Sequence, residues 1–213
     1  MTDQIEQAAQ PLIGAALAKL QGGDARAALA MLLEAQQKLP ASLGVKLNLA
    51  LAYRTLADCP GALRALNAAL AIDPYFFLAL LSKGMVLEQM GRPRIAADVY
   101  RNALKIAPPP EQTSPSLEAP ILRARACVAE QAAALALHLR QQLGGLRTQL
   151  SGEPLGRFEE CLDVLEQLAA AGESEAMLRR HAEALCDFLA VEDGARWTAP
   201  YAARLRQLAE LGN

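Results

Sequence analysis

Residues 43–76 read LGVKLNLALAYRTLADCPGALRALNAALAIDPYF, a 34-residue segment with a counterpart on either side. Pro40, Pro74 and Pro108 stand 34 residues apart, and taking each as position 32 of a unit makes the units begin at Ala9, Leu43 and Phe77. Small side chains then recur in register: Ala16, Ala50 and Gly84 at position 8, Ala28, Ala62 and Ala96 at position 20, and Ala35, Ala69 and Ala103 at position 27. Two antiparallel helices approach closely only where such residues meet, because larger ones would overpack the contact. Large apolar residues fill the complementary places, with Leu32, Leu66 and Tyr100 at position 24 and Leu49, Tyr53 and Leu87 at positions 7 and 11. Between the paired helices lie Gly22-Gly23-Asp24, Ala57-Asp58-Cys59-Pro60 and Gly91-Arg92-Pro93, breakers where a helical hairpin has to turn.

This pattern resembles the tetratricopeptide repeat (TPR), which has the same period and the same small, aromatic and proline positions. The resemblance covers residues 9–108 and implies an all-α fold, a right-handed superhelix of three TPR hairpins (9–42, 43–76 and 77–110) after a short N-terminal lead. Extension fails at both ends. A fourth unit would put Glu118, Glu130 and Gln142 where a small residue, Ala and Pro belong, and an earlier proline would have to be Glu6. Departures inside the array are Ala25 and Cys59 at position 17, where the family often has Tyr, and Lys19 at position 11.

Composition agrees with helix-on-helix packing. Apolar residues make up 53% of the chain but aromatics only 4%, so Ala and Leu carry the hydrophobicity. Long alternating Val/Ile/Thr runs are absent, which argues against a sheet. A net charge of −2 and a pI near 5.8 give no electrostatic case for nucleic acid; Arg123, Arg125, Arg179 and Arg180 read as solvated helix faces. Asp73 and Lys83 interrupt the apolar stretch Tyr75–Leu81, so no membrane span is expected. The first ten residues hold Asp3 and Glu6 without a basic start, unlike a signal peptide, and cytoplasmic residence is the default expectation. Cys59, Cys127, Cys161 and Cys186 form no CxxC and have no His at metal spacing, so they read as reduced core or half-buried thiols. Neither a metal nor a cofactor is implied.

At Pro108-Pro109-Pro110-Glu111-Gln112-Thr113-Ser114-Pro115 the composition changes to an extended connector, giving a boundary between 1–108 and a C-terminal region, 109–213. About four helices are expected beyond it. The first runs from about Leu117 to Leu143 with Gly144-Gly145 as its stop. The second opens at Pro154 with the stripe Phe158, Leu162, Leu165 and Ala169. A third carries Leu178, Ala182, Leu185 and Leu189, and a last one follows Thr198, with Tyr201, Leu205, Leu208 and Leu211 on one face. A repeat stack exposes the flank of its last helix, so something amphipathic has to cap it. The Leu117–Leu143 helix is the expected cap.

In TPR arrays the first helix of each unit lines the concave face through positions 2, 5, 9, 12 and 13. The resemblance therefore assigns the groove to Ile13, Leu17, Leu47, Leu51, Leu81 and Met85 at positions 5 and 9, an apolar strip. Asn48, Arg54, Thr55, Glu88 and Gln89 form its polar rim. Ile13 and Leu17 occupy places where a carboxylate clamp for chaperone tails would need Lys and Asn, so that ligand is rejected. A strip of six large apolar residues requires a cover: a protein or peptide partner, the chain's own C-terminal helices, or a second copy in a homodimer.

A second resemblance, narrower, runs through Phe76–Gly84, the Ile106–Glu111 connector, the Arg123-Ala124-Arg125 helix and Arg157–Asp163 to the non-catalytic N-terminal region of bacterial aspartyl/asparaginyl β-hydroxylase-type proteins. There such a region precedes an oxygenase domain with iron-binding histidines. From Glu166 onward this chain departs from it, and its two histidines, His138 and His181, fall in helical patterns unsuited to an iron triad. His181 near Glu183 and Asp187 reads as an interface histidine rather than a general base, and nucleophile-elbow, P-loop and dinucleotide fingerprints are absent. The expected function is a non-catalytic protein-interaction module or scaffold; the alternative is an accessory or regulatory relative of a hydroxylase-type oxygenase.

Overall fold

Antiparallel helix pairs, joined at tight turns, follow one another along the chain. The computed structural model describes residues 2–147 and, beyond them, the helical residues 156, 159, 160, 163, 164, 167 and 180. Its helices are α1 (Thr2–Gln21), α2 (Ala25–Lys38), α3 (Leu43–Thr55), α4 (Cys59–Leu70), α5 (Phe77–Gln89), α6 (Pro93–Lys105) and α7 (Pro115–Arg147), with a 3-10 turn at Pro110–Gln112 and no strand among the described residues. Two compact units divide the chain, Met1–Cys127 and Val128–Asn213. Apart from the scattered residues just named, the helices expected from Pro154, across Leu178–Leu189 and after Thr198 lie outside the described residues.

Each hairpin turn is built the same way. The residue at position 15 is left-handed in all three units: Gly23 at φ +82°, Ala57 at +60° and Gly91 at +70°. Around it the backbone closes a Schellman motif. The N–H groups of Asp24, Asp58 and Arg92 each donate to the carbonyl five residues back, on Lys19, Tyr53 and Leu87, at 2.9 Å. The next helix starts on a side-chain cap in two cases, where Asp24 accepts from the Ala27 N–H at 3.2 Å and Asp58 from the Gly61 N–H at 2.8 Å. In the third, Pro93 opens α6 with a preset φ and no donor to satisfy.

Hairpins pair as α1–α2, α3–α4 and α5–α6; α2 packs on α3 and α4 on α5, and the first helices touch their successors, α1 on α3 and α3 on α5. This is a tetratricopeptide-like stack. Its core repeats with the sequence. Ala16, Ala28, Leu32 and Ala35, at positions 8, 20, 24 and 27 of the first unit, cluster with Val45, Leu49 and Ala52 of the second. Ala50, Ala62, Leu66 and Ala69, the same positions of the second unit, cluster with Ala79 and Val86 of the third. Each hairpin therefore buries its small-residue seam together with one face of the next unit's first helix, the nearest-neighbour packing of a solenoid. Lys46, a buried charged residue at the first inter-repeat junction, donates its Nζ to the Pro40 carbonyl, satisfying both groups where α2 gives way to α3.

In the third unit the seam is Gly84, Ala96, Tyr100 and Ala103, with Tyr100, Ala96 and Ala103 at 0% exposure. A methyl group built on Gly84 would overlap the Tyr100 ring. The pair that is Ala16–Leu32 and Ala50–Leu66 in the first two units is thus Gly84–Tyr100 here, a smaller residue opposite a larger one.

The array ends under α7. Ile121, Ala124 and Cys127 are buried, and the Cys127 thiol donates to the Pro93 carbonyl of α6 at 3.6 Å. The loss of register after Pro108 has a simple cause. N-caps Ser42 and Phe76 lie 34 residues apart, but Ser114, which precedes α7, comes 38 after Phe76, so the connector inserts four residues. Allowing for them, Leu117, Ile121 and Ala124 fall where Val45, Leu49 and Ala52 stand in the second unit. Differing from expectation, α7 runs through Gly144-Gly145 to Arg147. Glycine inside a helix costs only about 1 kcal/mol relative to Ala, and it stops a helix where a left-handed cap finds partners, as Gly23 and Gly91 do.

Ala57→Gly should stabilise the chain by about 0.5–1 kcal/mol, since relief of left-handed strain (about 1–2 kcal/mol) exceeds the entropic cost of glycine (about 0.5–1 kcal/mol); a rise in the urea midpoint at unchanged m checks it. Gly84→Ala should destabilise by about 1–3 kcal/mol, and Tyr100→Leu in the same chain should recover much of the loss, a coupling that a double-mutant cycle of urea midpoints measures.

Candidate functional site

An open cavity of about 180 Å³ lies between the first helices of the second and third units. Its wall comes from α3 (Leu47, Asn48, Ala50, Leu51 and Arg54), from α4 (Leu66) and from α5 (Leu78, Ser82 and Val86). These helices meet here because the hairpin seams set α3 and α5 side by side, and the depression between them is lined by outward-facing residues such as Leu51 together with the buried core residues Ala50, Leu66 and Val86. The lining is mostly apolar. Within the lining Asn48 and Ser82 supply donors and acceptors, and Arg54 supplies a positive charge.

Four residues of the sequence-derived groove, Leu47, Asn48, Leu51 and Arg54, are thereby brought together in one place. Leu51 is the most open of them, at 38% exposure. Arg54 is half-buried, and its Nη1 donates to the Met85 sulfur at 3.5 Å, which brings Met85 of α5 to the same edge. Among the described residues Arg54 forms no ion pair. A thioether is a weak acceptor, so this guanidinium is poorly satisfied on its groove side.

The remaining groove residues are distributed differently from the expected bare strip. Ile13 is half-buried against the first core cluster, and Leu17 is half-buried on the same helix. Leu47 also packs on the second cluster. Leu81 is only 3% exposed and offers no open surface. In a stack each first helix has neighbours, and side chains at positions 5 and 9 are shared between groove and packing.

Glu88 departs furthest from its expected place on an open rim. Its carboxylate accepts the Tyr100 hydroxyl at 2.7 Å through Oε2 and the Arg123 guanidinium of α7 through Oε1, with Nε at 3.0 Å. The Glu88 side chain is 17% exposed and that of Arg123 50%. Glu88 thus ties the last hairpin to the cap. Half-exposure of the arginine limits the ion pair to about 1 kcal/mol or less, while the hydrogen bond to the buried phenol serves a group that would otherwise be orphaned. Burial first, then the Glu88 hydrogen bond and charge, hold the Tyr100 phenol well above its ordinary pKa.

Leu78 and Ser82 are absent from the sequence-derived set although both line the cavity. Leu78 stands at position 2, which the register already marks as concave, so its signal was present. Ser82, at position 6, becomes visible only once α3 and α5 are placed side by side. Of the cysteines, Cys59 is half-buried and Cys127 buried; Cys161, Cys186 and His181 lie outside the described residues. Among the described residues no helix is long and apolar enough to cross a membrane, and no cluster of three His, Cys, Asp or Glu side chains is placed to hold a metal ion.

No family model and no curated protein matches this chain. Among solved structures it is similar to the TPR domain of OM64 from Arabidopsis, at 23% identity and a TM-score of 0.48, over 56% of this chain and 96% of that one. The tetratricopeptide-like arrangement stands on the chain's own geometry: three helix pairs, a left-handed residue at position 15 of each, and a core that recurs by position. The hydroxylase-type resemblance gains no support from these comparisons.

The raised Tyr100 pKa has a consequence for alkaline stability. A phenol whose folded pKa lies above its unfolded value contributes stability that is whole below the unfolded pKa, near 10, and is lost as pH rises beyond it. Tyr100→Phe should therefore lower stability at pH 7 by about 1–2 kcal/mol through the lost hydrogen bond and flatten the decline above pH 10 relative to the parent chain, as urea titrations at stepped pH would show.

Proposed function

We propose that this chain is a non-catalytic protein-interaction module whose cavity between α3 and α5 receives an apolar side chain of a bound protein segment. The observation that carries the reading is an open depression of about 180 Å³ with a mostly apolar lining, in which Asn48, Arg54 and Ser82 are the polar residues. A cavity of about 150 Å³ lined by aliphatic groups accommodates benzene, so this one suits a single Leu-, Met- or Phe-sized side chain. Leu47, Leu51 and Leu78 would contact that anchor, while Asn48 and Ser82 are positioned to meet the backbone of the segment beside it. Ile13 and Leu17 of α1 and Met85 of α5, all half-buried, would extend the surface on which the rest of the segment lies, and an amphipathic helix laid in a groove uses such spaced anchors. The partner is a protein or peptide, and the setting that fits such a module best is the cytoplasm.

Selection of short random segments by the full chain tests the function. The parent should enrich segments carrying a large apolar residue, and Leu51→Asp or Leu47→Asp should reduce their affinity at least tenfold while the helical circular dichroism persists. Affinity unchanged in both variants would place binding elsewhere.

A further inference from the structure

Three features of the described surface invite a further role: the exposed Ile72 and Tyr75 at the second inter-repeat turn, the Tyr100–Glu88–Arg123 junction, and Arg54 at the edge of the α3–α5 cavity. The first has nothing to indicate what covers it. The second is internally satisfied. Arg54 differs from both, because it lines the cavity and has a sulfur where a guanidinium ordinarily has a carboxylate.

Resting on the groove function proposed above, the geometry points to Arg54 as the group that selects a segment bearing an Asp or Glu side chain next to its apolar anchor. The charge balance of the groove favours this occupant. The acidic residue expected on the rim, Glu88, is withdrawn by Tyr100 and Arg123, so no carboxylate of α3 or α5 competes for Arg54. Arg54 shares the cavity wall with Leu47 and Leu51 of its own helix and with Leu78 and Ser82 of the facing one. A carboxylate entering beside the anchor would meet a half-desolvated guanidinium, where the planar fork gives two parallel, charge-assisted hydrogen bonds. The thioether of Met85, being unbranched and adaptable, can yield its contact without cost to a buried polar group.

A side-chain carboxylate is favoured over a chain terminus. A terminal carboxylate is ordinarily held in a nest of several backbone donors, whereas here a single guanidinium faces the cavity with one amide and one hydroxyl nearby. The neutral donors are better suited to the backbone of a segment passing through.

The test uses two libraries of short random segments displayed to the full chain, one tethered through its C-terminus and one with that terminus free. From the tethered library the parent should enrich segments pairing Asp or Glu with Leu, Ile, Met or Phe. Arg54→Gln should keep the apolar preference but lose the acidic one, weakening a chosen segment roughly tenfold, the order of one charge-assisted pair, and Arg54→Glu should shift enrichment toward Lys and Arg. Enrichment that is apolar only, abolished by Leu51→Asp and indifferent to Arg54→Gln, overturns the selectivity while leaving the groove function intact. Segments that bind only through a free C-terminus overturn the choice of a side-chain carboxylate. Selection indifferent to both Leu51→Asp and Arg54→Gln, or no enrichment from either library, counts against groove and selectivity together.

Discussion

The distance between the two helices of each hairpin is fixed by one pair of side chains, small at position 8 and large at position 24. Ala16 and Leu32 share one buried cluster, and Ala50 and Leu66 another. Gly84 lies so close to the Tyr100 ring that even a methyl group has no room. What is conserved from unit to unit is the filled volume rather than either residue, as expected of interiors that tolerate compensated exchange better than net change. Everything downstream depends on that spacing. It sets how far apart successive first helices stand, and hence whether α3 and α5 leave a depression between them.

Placing Tyr in the third unit has consequences that Leu in the first two lacks. A buried phenol needs a hydrogen-bond partner, and the nearest acceptor is Glu88, one turn further along the helix that carries Gly84. Once drawn inward, Glu88 presents its other oxygen to Arg123 of α7. A choice made for volume thus creates an anchor for the cap. The same choice engages the one carboxylate of α5 away from Arg54. Core packing, termination of the array and groove electrostatics are linked here through two side chains.

Much of this was legible in the sequence, for a definite physical reason. Turn geometry and hairpin seams are local, and repetition states them three times, so the Gly22-Gly23-Asp24 and Gly91-Arg92-Pro93 breakers and the small-residue positions could be read directly. Ala57, left-handed like its glycine counterparts, shows that the register specifies the backbone even where the residue type gives no signal. Less could be read where one position serves two purposes. Leu81 and Leu51 carry the same amphipathic label, yet one is 3% exposed and the other 38%; periodicity reports that a residue is apolar and not how many neighbours claim it. Glu88 looked like rim because its partners lie 12 and 35 residues away. The cap escaped the repeat register because four inserted residues displace it, although its helical content was plain.

Helix α5 carries both the groove-side and the cap-side contacts. Met85 touches Arg54 at the groove, and Glu88, three residues on, holds Tyr100 and Arg123 at the cap. Residues three apart are neighbours on a helix surface, so groove and cap are joined through less than one turn of rigid backbone. Gly84, adjacent to Met85, leaves no slack on the seam side, since the Tyr100 ring packs against it. A shift of α5 large enough to reshape the cavity would have to move that ring, strain its hydrogen bond to Glu88 and disturb the seat of Arg123. The α5 wall of the cavity is therefore held by the cap as well as by its own hairpin, which makes the depression a preformed feature of the stack.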